Sequence, residues 1–455
     1  MENSVANSYF YENGLRKGAR YDSIFFGAFA GMGSTFDIRV RFEFKQKLDI
    51  KKFQAAADEA VGFYPEFAVR PVIYNGRVCY EKNDSPVKIV PDDGKSYYFG
   101  TDGDKGTNGY LFLFLYKEKE ITFSLFHGLT DAHGMILFVI SVLWGYLKRM
   151  FPLLRGFSPK LLTRPGIRLN HQMQGDMDDV ERYDPLTKFA ADIKPVDLID
   201  VNRLFRLPEE SFSREDVSCR LINLEISNQV FLNKTKELNT SFAPLLAAIT
   251  ADAISSAYDI GDSVISVITT VNPRRFIKTN SLGNMAYNSP LPVTKEDLSL
   301  SPEKLCEKLR NDMKLQVTEE NARGTFNFIL SQCSDIEGMG DIVGVNKLLS
   351  EGGGVKALAT NGTIFLTYPG RINNNMISRV LLKGISPEIL AVERAIVTYA
   401  HRDSLIIQMS QKSDNMTLVN ALKNSLEKYG FKPKVRDLGR VSQNVMELTM
   451  LKTAE

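Results

Sequence analysis

A chain of 455 residues exceeds the size at which a single hydrophobic core stops growing, so its length implies two domains. A hydrophobic content of 44% and a charged content of 24% are those of a globular protein and exclude a disordered one. Lys and Arg (56) nearly balance Asp and Glu (54) without a basic stripe, so nucleic acid is not an expected partner.

Taken in chain order, the first residues (MENSVANSYFYENGLRKGAR) lack the apolar core of a signal peptide, and a cytoplasmic protein is expected. Ser34 to Phe44 alternates apolar and polar residues, the pattern of a half-buried strand. The next segment places Ile50, Phe53, Ala57, Val61 and Tyr64 on one helical face, and Pro65 stops that helix near Tyr64. YLFLFLY and ITFSLFH follow as two strands joined by the charged turn Lys117–Glu120, which favours antiparallel pairing. The second strand ends at His127. After a short corner, Asp131 opens an apolar helix towards Met150; its apolar stretch, Met135 to Leu147, is too short to cross a bilayer and reads as a buried helix.

From Pro152 to about Val217, prolines and charge-dense pieces punctuate the chain, marking a crossover between two halves with no large core of its own. The second half opens on strand-like CRLINLEI. A helix follows from Ala243, with Asn239, Thr240 or Ser241 as its cap. Next come the strand VISVITTV, the helical SPEKLCEKLRNDMKLQV, the strand TIFLTYPGRI, the hairpin RAIVTYA–HRDS–LIIQMSQ and a last amphipathic helix from Met416 to Tyr429. Both halves mix helices and strands. The expected organisation is residues 1–151, a crossover over 152–217, and residues 218–455.

Four cysteines, Cys79, Cys219, Cys306 and Cys333, lie far apart with no CxxC spacing, which speaks against structural zinc and for a reducing compartment. The segment that carries chemistry is Ser124 to Gly134, SLFHGLTDAHG. A histidine at the end of a buried strand, just before a tight corner, can project into a cleft. A neutral imidazole, with a reference pKa near ~6.5, can take a proton from an attacking alcohol or amine and return it to a leaving thiolate. Asp131 can brace the corner or cap the helix behind it. His133 could form a metal cluster with His127 and Asp131, but His171 and His401 sit without ligand-like company, His401 reading as a solvated residue of the hairpin turn, and no metal is expected. Gly352–Gly354 precedes a strand-like segment, not a helix, and reads as a loop instead of a phosphate cradle.

These residues resemble the HHxxxDG corner of the condensation-domain and CoA-dependent acyltransferase superfamily, which includes chloramphenicol, alcohol and polyketide-associated acyltransferases. The match is Phe126-His127-Gly128-Leu129-Thr130-Asp131-Ala132, with Phe126 in place of the first histidine, and Gly134 following where Ala132 replaces the motif glycine. The resemblance implies that His127 is the catalytic base and that Asp131 is structural. VNPRRFIKTNSLGNMAYNS resembles the V-D-x-R segment of the second half, which makes Arg274 the partner of Asp131 and leaves Asn272 where an aspartate is usual. TYPGRI resembles a segment near the active-site channel, making Thr367 and Tyr368 channel or oxyanion residues. The implied fold is α/β: two chloramphenicol acetyltransferase-like halves, each a mixed sheet with helices, arranged in a V around a central channel.

The implied function is transfer of an acyl group, acetyl in the first instance, from acyl-CoA as co-substrate to a hydroxyl or amine of a small acceptor. No tightly bound cofactor, no integral membrane segment and a monomer are expected. Two rivals stand beside it: an acyltransferase that takes its acyl group from an acyl carrier protein in trans, and a degenerate superfamily member that binds without catalysing. Phe126 beside the base is expected to narrow or dry the pocket.

Overall fold

A computed structural model describes residues 15–17, 37–74, 77–100, 106–156, 185–208, 218–279, 281–337, 362–369, 380–390, 394–401 and 403–447. In the first half the strands are β1 (Leu15–Lys17), β2 (Asp37–Phe44), β3 (Val69–Tyr74), β4 (Arg77–Lys82), β5 (Ile89–Pro91), β6 (Tyr98–Gly100), β7 (Phe112–Lys117) and β8 (Glu120–Phe126). Those that follow are β9 (Ser218–Ser227), β10 (Ile265–Val271), β11 (Tyr287–Val293), β12 (Ile364–Thr367), β13 (Leu382–Leu390), β14 (Arg394–His401), β15 (Ser404–Gln411), β16 (Lys434–Ser442) and β17 (Val445–Glu447). The helices are α1 (Ile50–Gly62), α2 (Ala132–Met150), α3 (Pro185–Phe189), α4 (Asn228–Glu237), α5 (Phe242–Ala257), α6 (Pro302–Gln316), α7 (Glu319–Glu337) and α8 (Thr417–Lys428).

Two sheets organise the chain. The first has the order β13-β2-β8-β7-β5 and the second β11-β10-β12-β14-β15-β9-β16. The hairpin β7–β8 pairs antiparallel, in register from Phe112 with Leu125 to Lys117 with Glu120. In the second sheet β12 runs parallel to both β10 and β14, and the hairpin β14–β15 runs antiparallel. Helices α1 and α2 cover the first sheet and build an aromatic core around Phe53, Phe112, Phe114, Phe123 and Phe138. Gly145 of α2 lets α1 come close, since a Cβ there would stand 3.3 Å from the Cβ of Ala56. Helices α5, α6 and α8 bury their apolar faces on the second sheet.

Local signals explain most element ends. Asp49 caps α1 through its side chain, accepting from Lys52 N at 3.1 Å. That helix closes at Gly62, two residues short of Tyr64. Ser301 caps α6 with Pro302 in the first turn, where its missing N–H costs nothing. No described helix is long and apolar enough to cross a membrane.

Three expectations need correction. Strand β2 is not half-buried by alternation: Asp37, Ile38, Arg39 and Val40 are all buried, because Ser442 and Asn444 cover the face that carries Asp37 and Arg39. Residues 34–36 lie outside the described residues. Strand β13 belongs to the second half by sequence, yet it forms the edge of the first sheet, so a cut at residue 218 does not separate the two sheets. His401 is not a solvated turn residue; it is half-buried at the end of β14, with its ring on the backbone of Gly384. The Gly352–Gly354 loop and His171 lie outside the described residues.

The C-terminal segment ties the sheets together as β13 does. After β16 the chain crosses to the first half, where β17 runs parallel to β6. On the way Asn444 donates from its backbone N to Asp37 Oδ2 (2.8 Å) and from Nδ2 to Ser124 Oγ (2.9 Å). Arg39 donates to Asp37, Ser124 and the Ser442 carbonyl. Burying these charges is tolerable because each is hydrogen-bonded.

Candidate active site

Strand β8 stops at Phe126, and the chain turns through His127–Thr130 before Asp131 opens α2. The turn is built on close approaches. Phe126 is fully buried in the first core, and its ring lies where a Cβ on Gly128 would have to be. The expectation that Phe126 narrows the pocket therefore gives way to a packing role beneath the corner.

Asp131 is the hub. One carboxylate oxygen, Oδ1, accepts from the backbone N–H groups of His133 (3.0 Å) and Gly134 (3.3 Å), capping α2. The other, Oδ2, accepts from Arg274 Nη1 (2.6 Å) and from the Met285 backbone N–H (3.1 Å). Capping and pairing thus divide between the two oxygens. Both side chains are buried, at 4% exposure for Asp131 and 6% for Arg274. Burial pushes the Asp131 carboxyl up, but the Arg274 charge and hydrogen bond, with help from His133 and the Met285 N–H, hold it below the usual carboxylate range.

Arg274 arrives from the second half, in a 3-10 turn just past the C-terminal end of β10. Asn272 caps that turn, its Oδ1 accepting from the Arg274 backbone N–H at 3.1 Å. An asparagine does this as well as an aspartate and places no second carboxylate beside Asp131. The guanidinium also donates to the carbonyls of Ser281 (3.1 Å) and Gly283 (2.6 Å). Three directed bonds on one planar fork fix its position. Arg275 is exposed and takes no part in this pair.

The loop carrying those carbonyls adds two more bonds to the corner. Thr130 Oγ1 donates to the Leu282 carbonyl (2.5 Å), and Asn284 Nδ2 donates to the His127 carbonyl (3.2 Å). Sequence reasoning missed Thr130, Leu282 and Asn284. Their contacts run largely through backbone carbonyls, which leave little residue signature. The loop is held by a small core of its own, in which Ile277, Met285 and Tyr287 pack with Leu186 of α3 and Phe326 of α7.

Gly134 sits where these pieces converge. A Cβ there would collide with the Thr130 hydroxyl and stand 2.8 Å from the Leu282 carbonyl. Gly134→Ala is expected to cost about 1–3 kcal/mol of stability through this overpacking, read as a lower midpoint in urea. Equal midpoints for mutant and wild type would refute the close approach.

His127 is half-buried at the mouth of this construction. Burial pushes its pKa below the ordinary histidine value; its own backbone hydrogen bond, the Asp131 charge and the Thr130 backbone pull the other way and lose. His133, on the first turn of α2, is pushed down to about 4 by burial and by Arg274, against the pull of Asp131. Both imidazoles are neutral near pH 7. Among the described residues no group of three or more His, Cys, Asp or Glu side chains is arranged to hold a metal.

Thr367 ends β12, and Tyr368 follows it, at the C-terminal edge of the second sheet where the parallel β10 delivers Arg274. Tyr368 stacks flat on Phe242 of α5, with ring centroids 4.0 Å apart and planes 17° off parallel. The remainder of the TYPGRI segment, from Gly370, lies outside the described residues.

The mixed α/β fold built on two sheets is similar to that of solved acetyltransferase and condensation-domain structures. Three solved structures carry the likeness. TRI101 from F. graminearum, complexed with coenzyme A and deoxynivalenol, superposes with a TM-score of 0.59 at 11% identity, over 90% of this chain and 98% of that one. TRI3 trichothecene 15-O-acetyltransferase from Fusarium sporotrichioides gives 0.55 at 11% identity, over 91% and 94%. The starter condensation domain of the rhizomide synthetase, complexed with C8-CoA and Leu-SNAC, gives 0.54 at 11% identity, over 94% and 95%. No protein-family model and no curated protein matches the sequence.

Proposed function

We propose that the protein is an acyltransferase that moves an acyl group, acetyl in the first instance, from a CoA thioester to a hydroxyl or amine of a small acceptor, with His127 as general base. The observation that carries this reading is a half-buried histidine kept neutral on a corner that a buried ion pair locks across the two halves. The reaction follows from that geometry. His127 takes the proton of the acceptor, whose oxygen or nitrogen attacks the thioester carbonyl. The tetrahedral intermediate collapses with cleavage of the C–S bond. The thiolate leaves with the proton held by His127, and the imidazole is neutral again.

Asp131, Arg274 and Gly134 hold the corner, and none of them moves a proton. Thr367 or Tyr368 supplies a hydroxyl at the channel between the halves, aimed at the developing oxyanion or at the acceptor. In this reading residues 1–151 and 218–455 form the halves of a V, 152–217 crosses between them, and β13 is lent back to the first sheet. The protein works as a cytoplasmic monomer. The coenzyme A bound in the TRI101 complex supports a CoA donor over a carrier-bound one.

The test is release of free thiol from acetyl-CoA and longer acyl-CoAs, with a panel of alcohols and amines, run beside the same acyl groups on an acyl carrier protein. Acceptor-dependent release from acyl-CoA that requires His127 is the expected result. Release only from the carrier protein would transfer the reading to a condensation-type enzyme. No release from either donor would leave a binding protein.

A further inference from the structure

One end of the first sheet presents a lysine-rich rim. Several segments meet there. Phe44 N donates to Lys119 O at 2.7 Å, Leu48 N to Glu118 O at 3.3 Å, and Lys45 N to Leu381 O at 2.9 Å, so the end of β2, the β7–β8 turn and the start of β13 share a rim. Helix α1 starts from the same rim, and Lys52 Nζ reaches Met150 Sδ at the end of α2, 4.0 Å away. Lys45 and Lys47 follow β2, Lys51 and Lys52 lie on α1, Lys117 and Lys119 flank the turn, and Lys383 sits on β13; all seven are exposed. Four carboxylates lie among them, Glu43, Asp49, Glu118 and Glu120. The face therefore carries a surplus of three positive charges, on a chain whose whole net charge is +2.

Just past α2 the short turn Pro152–Gly156 begins, and there Phe151 and Leu153 stand 45% and 89% exposed, while Leu154 packs inward on the first core. A single exposed apolar residue needs no explanation. Two together at a lysine-rich rim are the pattern that suits an anionic bilayer: apolar side chains enter the headgroup boundary, and flexible lysines meet lipid phosphates. An acidic protein would match the charge but would leave no use for the apolar pair. We infer that this rim docks reversibly on an anionic lipid surface.

The contact is peripheral, made by side chains and not by a spanning segment. Cosedimentation with vesicles tests it, using phosphatidylcholine alone and phosphatidylcholine with phosphatidylserine. The wild type binds the phosphatidylserine vesicles at low salt, and at least about tenfold more weakly at 0.5 M salt, where screening is short-ranged. Leu153→Glu and the triple variant Lys47→Glu/Lys51→Glu/Lys119→Glu each lower binding by about tenfold or more, with unchanged thermal midpoints because all four side chains are exposed. Equal binding to both vesicle types, no binding to either, or variants that bind like wild type would overturn the inference. So would lysine-dependent capture of an acidic carrier protein without vesicle binding.

Discussion

His127→Ala is expected to lower acceptor-dependent thiol release by about 10²–10⁴-fold, the usual worth of one well-placed general base. The corner survives the substitution. Asn284 holds His127 by its backbone carbonyl, and the Asp131–Arg274 pair makes no use of the imidazole. The thermal midpoint and acyl-CoA affinity therefore stay near wild type while the rate falls, which separates lost chemistry from lost structure. The pH profile gives a second readout. The base works only when neutral, and burial holds its pKa below the ordinary value near ~6.5. The rate rises with pH through that lowered pKa and is level by neutrality. In the mutant the acid limb disappears. A mutant with more than about a tenth of wild-type activity and the same acid limb would remove His127 from the chemistry.

Much of this was legible in the sequence, for physical reasons that differ by element. The β7–β8 hairpin and α2 announce themselves because two short apolar runs, a charged turn and Asp131 as cap all agree. Strand β13 was not legible. Its sequence, LKGISPEIL, carries a glycine and a proline, and nothing local says that it pairs with β2 more than 330 positions earlier in the chain. Helices α4 and α7 were missed as well: α4 is largely polar, and α7 follows α6 with almost no break. The burial of β2 misled the reading for a related reason. Alternation reports one wet face, and here the polar face of β2 is covered by Ser442 and Asn444 from the far end of the chain.

The candidate site divides in the same way. Side chains in a recognisable spacing, His127, Asp131 and Arg274, could be named from the sequence. The carbonyls of Ser281, Leu282 and Gly283 could not, since any residue supplies a carbonyl and only the loop's path aims it. Gly134 lies between these cases. It stood out as a glycine near the motif, and its reason is the Thr130 hydroxyl and Leu282 carbonyl pressed against its Cα.

Arg274→Met should be the most destabilising single change at the site. It removes the counter-charge from a carboxylate on a side chain only 4% exposed and leaves three acceptors, on Asp131, Ser281 and Gly283, without their donor. Breaking a buried pair from one side costs about 3–5 kcal/mol, more than the pair contributes relative to an apolar replacement. Asp131→Asn/Arg274→Met should recover part of that loss, because a neutral amide can still accept from the helix N–H groups while no charge remains buried. Urea unfolding of the four proteins of this cycle gives the coupling directly. The pH dependence has a definite sign. With Arg274 present, Asp131 is held below its unfolded value, so its stabilisation is in force above that value and is lost as acid protonates the folded carboxylate. Without Arg274, burial governs and raises the carboxyl, so Arg274→Met should gain stability relative to wild type as pH falls through the weakly acidic range. A gap between the two proteins that stays constant from neutrality into acid would mean that Asp131 and Arg274 do not share a charge interaction, and that the two halves are held together at this corner by the loop carbonyls alone.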